Sequence, residues 1–400
     1  MFNLRALLLL TGALSALIAS VAVWGEGALA GVTALLVLTT LAIAWFAYQT
    51  AGSDASRVVS AAGNASVGES SLPPWSRSSV FISAILLLAS VLGCITLLQR
   101  LGEIELLRPD GGHPGIGFYA LVIAIWACGW LLVEWLADVR TINRWLQRLL
   151  GFAIPLIFGA GLLMLWEVFT RALDVPQVLL PSPSEIGARF AASTSILWAD
   201  FKQTFLKAVL IGYSIGCAAG FVIAILIDRS PFLQRGLLPV GNLISALPII
   251  GIAPIMVMWF GFDWPSKAAV VVIMTFFPML VNTISGLAAS NHMQQDLMKT
   301  YAAGYWQSLF KLRLPQAMPF IFNALKINST LALIGAIVAE FFGTPIVGMG
   351  FRISTEVGRM NVDMVWAEIA VAAIAGSCFY GLLTLIERFV TFWHPSIRSS

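Results

Sequence analysis

Long apolar runs separated by short polar connections recur along this chain from residue 5 to residue 387. A helix needs roughly 20 apolar residues to cross about 30 Å of hydrocarbon. The runs that meet this length are 5–24, 27–48, 79–98, 116–136, 149–170, 205–227, 238–260, 268–289, 319–342 and 365–387. An open sheet at that depth would leave backbone groups unpaired, so each run predicts a membrane-spanning α-helix.

The polar stretches divide these spans into two groups. Residues 50–78, TAGSDASRVVSAAGNASVGESSLPPWSRS, are rich in Ser, Ala and Gly and lack apolar periodicity, so they read as a flexible linker. Asp138–Leu149, DVRTINRWLQRL, reads as a basic amphipathic piece at the membrane surface. The expected organisation is an accessory region, 1–137, with four spans, followed by a six-span core, 138–400.

Composition supports the spans: 59% of residues are hydrophobic and 11% charged, against about a quarter charged in soluble domains. The net charge of +3 is too small to suggest a nucleic-acid partner. The placement of the charges is more informative. With the N-terminus inside, the inside connections hold Arg57 and Arg77, then Arg140, Arg144 and Arg148, then Arg229 and Arg235, then Lys299, Lys311 and Arg313. Arg388 and Arg398 follow the last span, so both termini are expected in the cytoplasm. The first span reads as an anchor; cleavage as a signal peptide would leave the later orientation unchanged.

No catalytic or metal chemistry is expected. Cys94, Cys128, Cys217 and Cys378 fall in separate apolar segments without CxxC spacing, and His113, His292 and His394 form no HExxH pair. The sequence contains no Gly-Lys dipeptide, which excludes a Walker A loop.

Within the core, Pro176, Pro181 and Pro183 should hold the first half of the 171–204 connection extended. Gly212, Gly216 and Gly220 form a face suited to close helix approach. Pro248 and Pro254 predict a kink or break, either structural or beside a substrate path. Lys326 reads as snorkelling to the interface or as a substrate contact, and Asn328 and Ser329 as lining a path or pairing with neighbours. Glu340 is expected to organise the outer loop, with gating as the alternative, and Glu368 carries the same ambiguity.

The loop 290–318 is unusually patterned. On a helix over 296–313, Leu297, Tyr301, Tyr305 and Leu309 form one ladder and Met298, Ala302, Trp306 and Phe310 the next, with Pro315 ending the helix. Such a stripe suits either the membrane interface or a partner's groove.

Here the chain resembles the EAA loop of permease subunits of binding-protein-dependent ABC importers. The family pattern is Glu-Ala-Ala, three residues, Gly, nine residues, Ile, one residue, Leu-Pro. This chain has Asp296-Leu297-Met298, then Ala302, Leu312, Leu314 and Pro315, so the alanines and the glycine are replaced. The segments LPSPSEI, ALPIIGIAPIMVMWFGF, SKAAVVVIMTFFPMLVNTISGL and IVAEFFGTPIVGMGF occur in the order typical of the nitrate, sulfonate, taurine and bicarbonate branch. The resemblance covers roughly residues 150–392.

It implies an all-α polytopic protein with a six-helix type I importer core, preceded by four additional spans, in a bacterial inner membrane. It implies that two permease copies form the path, ordinarily identical, a different permease being the alternative. Asp296, Ala302, Tyr305, Trp306, Leu314 and Pro315 would contact a separate ABC ATPase, which would carry ATP and Mg; this chain would bind no cofactor and catalyse no reaction. A periplasmic or lipid-anchored binding protein would deliver the substrate, expected to be a small anion or sulfonate-like compound. The rival readings are an ion-coupled secondary transporter without an ATPase and an intramembrane enzyme, which would need a convergent polar cluster.

Overall fold

The computed structural model describes residues 144–230, 248–343 and 346–393, with scattered residues between 119 and 137 and between 232 and 236. The predicted spans 5–24, 27–48 and 79–98, the linker 50–78, residues 138–143 and the first part of span 238–260 lie outside the described residues. Every regular element among the described residues is a helix. The contacts divide the chain into two units, Met1–Pro176 with Leu180–Pro183, and Gln177–Leu179 with Ser184–Ser400.

In the first unit, α1 spans Arg144–Ala172 and contains Pro155. Arg144 to Leu149, read from the sequence as an interfacial piece, is continuous with this span. Gly161 gives room to the Trp126 ring, which also lies 6.0 Å from the Phe158 ring.

The second unit contains α2 (Pro183–Ala192) from Ser184 onward, α3 (Thr194–Arg229), α4 (Ile249–Phe260), α5 (Trp264–Ala288), α6 (His292–Thr300), α7 (Tyr305–Glu340), α8 (Met349–Gly358) and α9 (Val362–Val390). Among the described residues, α1, α3, α5, α7 and α9 are long and apolar enough to cross a membrane, and α4 is a shorter apolar helix.

The centre of this unit is α5, packed against both α3 and α7. The predicted glycine face makes the first of these contacts. A Cβ on Gly212 would lie 2.6 Å from Ala268 O, one on Gly216 2.8 Å from Val272 O, and one on Gly220 2.5 Å from Phe276 O. The two backbones meet where a side chain would separate them, which is how membrane helices gain dispersion energy without a hydrophobic effect. Around this contact Val209, Tyr213, Val271, Met279, Leu309, Ile321, Ala336 and Leu383 form a buried apolar core. Tyr213 stays within it by donating its hydroxyl to Leu325 O at 3.1 Å and placing its ring edge-on to Phe379.

Two elements differ from expectation. The span read as 205–227 begins at Thr194, and α2 precedes it, so the second half of the 171–204 connection is helical. Asp200 and Lys202 make that half look like a loop, but Asp200 is fully buried and accepts from Gly348 N–H at 2.7 Å and Arg352 Nε at 2.9 Å. A distant partner satisfies the charge that the local pattern cannot.

The second difference is a correction. Residues 296–313 are not one rod, and Pro315 ends no helix. The chain breaks between α6 and α7 at Tyr301–Gly304, and α7 runs through Pro315 and Pro319 to Glu340. Leu309–Arg313 forms a wide π-helical stretch directly before Pro315, which therefore occupies the start of a new α-helical ladder, where a missing N–H costs little.

Candidate functional site

The break makes an elbow. Ala302 has a φ of 52°, in the left-handed region, and so terminates α6 and turns the chain towards α7. Asn291 caps α6 by accepting from Met293 N–H at 3.0 Å, and Gln307 Oε1 accepts from Gly304 N–H at 3.1 Å at the start of α7. Gln316 Nε2 donates to Gln294 Oε1, tying α6 back to α7.

The elbow divides the predicted aromatic stripe. Leu309 is fully buried in the core, and Tyr305 is half-buried against it. The other half faces outward: Leu297, Tyr301, Trp306 and Phe310 are all exposed, Tyr301 by 78%, and Met293, one turn before the stripe, is exposed with them. Trp306 stacks on Phe310 with ring centroids 5.9 Å apart and meets Tyr305 edge-on at 5.3 Å. Asp296 is exposed beside the stripe and pairs with Lys299 at 3.0 Å; Leu314 and Pro315 are half-buried. The structure thus brings together Asp296, Ala302, Tyr305 and Trp306 at one end of the bundle, on a surface both aromatic and charged.

Behind this surface lies a cluster that sequence reading missed. Asp228 accepts from Arg313 Nη1 at 2.7 Å, from Arg313 Nη2 at 2.6 Å and from the Tyr305 hydroxyl at 2.9 Å. Arg229 stacks its guanidinium 5.7 Å from the Trp306 ring centre. Both arginines count as interfacial charge in a positive-inside argument, and nothing local marks Asp228 as the acceptor for Arg313.

The expected path residues are spread along the bundle. Pro248 precedes α4 and Pro254 lies inside it. Lys326 pairs with Glu387 at 2.8 Å, joining α7 to α9. Asn328 is fully buried and donates to Thr275 O at 2.8 Å, linking α7 to α5; Ser329 bonds back to Lys326 O.

Glu340 sits at the opposite end of α7. It accepts from Thr204 Oγ1 and from Gly350 N–H, both at 2.7 Å. A Cβ on Gly348 would lie 2.8 Å from its carboxylate, so only glycine fits there. Close by, the buried Lys267 donates from Nζ to Phe262 O, Asp263 O and Gly343 O, three carbonyls for three protons. At the head of α5, the Trp264 N–H, with help from the Gln203 amide, holds the Asp263 carboxyl below its ordinary value. A cleft of about 560 Å³ opens beside it, lined by Lys202, Gln203, Lys207 and Asp263 among others. Among the described residues, no group of three His, Cys, Asp or Glu is placed to hold a metal ion.

Comparison with known proteins gives this geometry a context. Residues 212–398 match the family described as binding-protein-dependent transport system inner membrane component. A probable ABC transporter permease of Haemophilus influenzae is 30% identical over 59% of this chain and 96% of its own length. A formylaminopyrimidine transport permease of Halalkalibacterium halodurans is 30% identical over 60% of this chain and 95% of its own. A putative aliphatic sulfonates transport permease of Bacillus subtilis is 26% identical over 62% and 89%. The spans, the bundle and these matches agree that the chain belongs to the binding-protein-dependent transport system inner membrane components, the permeases of ABC transporters.

Proposed function

We propose that this chain is the translocating subunit of an ATP-driven importer and that the elbow Tyr301–Gly304, with Trp306 and Phe310 beside it, docks on a separate ATPase. The observation that carries this reading is the outward half of the aromatic stripe. Large exposed rings on the elbow and the first turns of α7 fit the groove of a protein partner, with aromatics as anchors. ATP and its Mg would be bound by that partner. The elbow end is then cytoplasmic, the chain lies in a bacterial inner membrane, and two identical copies enclose the path.

In this reading Pro248 and Pro254 shape the wall of the path contributed by α4. Lys326, Asn328, Ser329 and Glu340 act on it indirectly, by fixing α7 to its neighbours.

The substrate proposed is a small anion of the sulfonate kind. Lys202 and Lys207 outnumber Asp263 in the cleft at the far end, where a binding protein would release its cargo. The sulfonate relative supports the same choice. The formylaminopyrimidine relative favours a second reading, an uncharged heterocycle.

Purification from membranes tests the docking. The wild-type chain should bring down an ATPase subunit, and Trp306→Glu should lose it while remaining inserted. Retention of the ATPase by Trp306→Glu, or its absence from the wild type, overturns the reading. Uptake of labelled methanesulfonate into vesicles, competed by a pyrimidine, separates the substrate choices.

A further inference from the structure

Asp228 has a role that docking alone does not assign. Its carboxylate sits at the end of α3, where the helix carbonyls already concentrate negative potential, so it needs a cation to stay there. Arg313 supplies one in a two-pronged geometry, with side chains 18% and 12% exposed. The same guanidinium donates from Nε to Leu287 O at 3.2 Å, in the last turn of α5. One arginine of α7 thus joins the ends of α3 and α5. Tyr305, the first residue of α7 after the elbow, adds its hydroxyl to the same carboxylate.

The other ties of this end to the bundle are apolar or stacked: Leu309 is buried in the core, and Arg229 of α3 lies over the Trp306 ring. No residue of α6 is buried. Between Tyr305 and Arg313 lies the wide π-helical stretch Leu309–Arg313, a helix form that recurs at functional sites. Near the elbow, Arg313 is the residue of α7 whose directional hydrogen bonds reach both α3 and α5, so a displacement of the elbow is passed to both helices there. A two-pronged arginine–carboxylate contact fixes orientation as well as distance, which a lysine would not do.

We infer that Asp228 and Arg313 are positioning residues for energy coupling: they make α3 and α5 follow α7 when the ATPase moves the elbow. This rests on the docking reading above, and the experiment distinguishes the two.

The complex of permease, ATPase and binding protein is reconstituted in vesicles, and uptake and ATP hydrolysis are measured in the same sample. Asp228→Asn should keep the ATPase bound and hydrolysing, while uptake per ATP falls about tenfold, within the usual range of coupling between sites. Asp228→Glu, which keeps the carboxylate, should recover most of that ratio; general destabilisation would not sort the two variants this way. An unchanged ratio in Asp228→Asn overturns the inference. So does loss of the ATPase from Asp228→Asn, because the pair would then belong to the docking surface. Should Asp228→Asn fail to accumulate, Arg313→Lys decides by the same ratio: it keeps the charge and loses the fork, and a wild-type ratio overturns the inference. Retention of the ATPase by Trp306→Glu defeats the docking reading; its loss there, beside a wild-type ratio in Asp228→Asn, defeats only the present inference.

Discussion

At the scale of single residues, two kinds of buried position set the stability of the second unit. The first is a glycine where two helices touch. Gly216→Ala forces α3 away from Val272 and Thr275, and overpacking of this kind costs about 1–3 kcal/mol. Gly381 lies in α9 with nothing within reach of an added Cβ, so Gly381→Ala should be neutral or slightly stabilising. Thermal melting in detergent checks the pair, and equal shifts would contradict the close-contact account. The second kind is a fully committed polar group. Lys267→Met leaves three carbonyls without their shared donor, at about 1–3 kcal/mol for an unsatisfied group, and should lower the melting temperature more than Gly216→Ala does.

Asp263 gives a residue-scale prediction in pH. Its folded value is held below the ordinary 3.8, chiefly by the Trp264 N–H. A carboxylate lowered on folding stabilises the fold above its ordinary value, and this contribution is lost as pH falls through the folded value. The melting temperature of the wild type should therefore drop slightly, relative to Asp263→Asn, between about pH 5 and about pH 3. Parallel curves for the two proteins would show that the cap contributes nothing.

Among the elements, the elbow is the most instructive. The family pattern places glycine at the position of Ala302, and here that position has a φ of 52°. Glycine adopts this conformation freely, whereas for other residues it costs about 1–2 kcal/mol. Ala302→Gly should raise the melting temperature or protect the elbow from proteolysis, and Ala302→Val should do the reverse. If Ala302→Gly destabilises, the left-handed turn is not the conformation at this site. The aromatic ladder made one straight helix a reasonable expectation from sequence, because its spacing continues unbroken across the turn. Spacing reports which residues are apolar; it does not report where a backbone must bend to bury half of them and expose the rest.

For the molecule as a whole, the relatives match nearly their full lengths within 59–60% of this chain in the two highest identities described. The accessory region was expected to contain four spans, an even number, so its removal should leave the orientation of the rest unchanged. A chain beginning at residue 138 should still insert and retain the ATPase, as measured by co-purification. Insertion without the ATPase would assign part of the coupling to the first 137 residues.

What the sequence determined by itself is local and compositional. Among the described residues the apolar runs set the membrane-long helices, the four-residue glycine spacing set the face of α3 that meets α5, and the basic aromatic stretch marked the end that carries the exposed rings. These follow from residue size, hydrophobicity and helical period, which are properties of one segment. Only the tertiary structure decided that Asp200 lies buried within α3 with Arg352 as its partner, and that Asp228 takes both prongs of Arg313 from 85 residues away. A buried charge is tolerated or forbidden according to what the packing of other helices brings beside it, and no single segment carries that information.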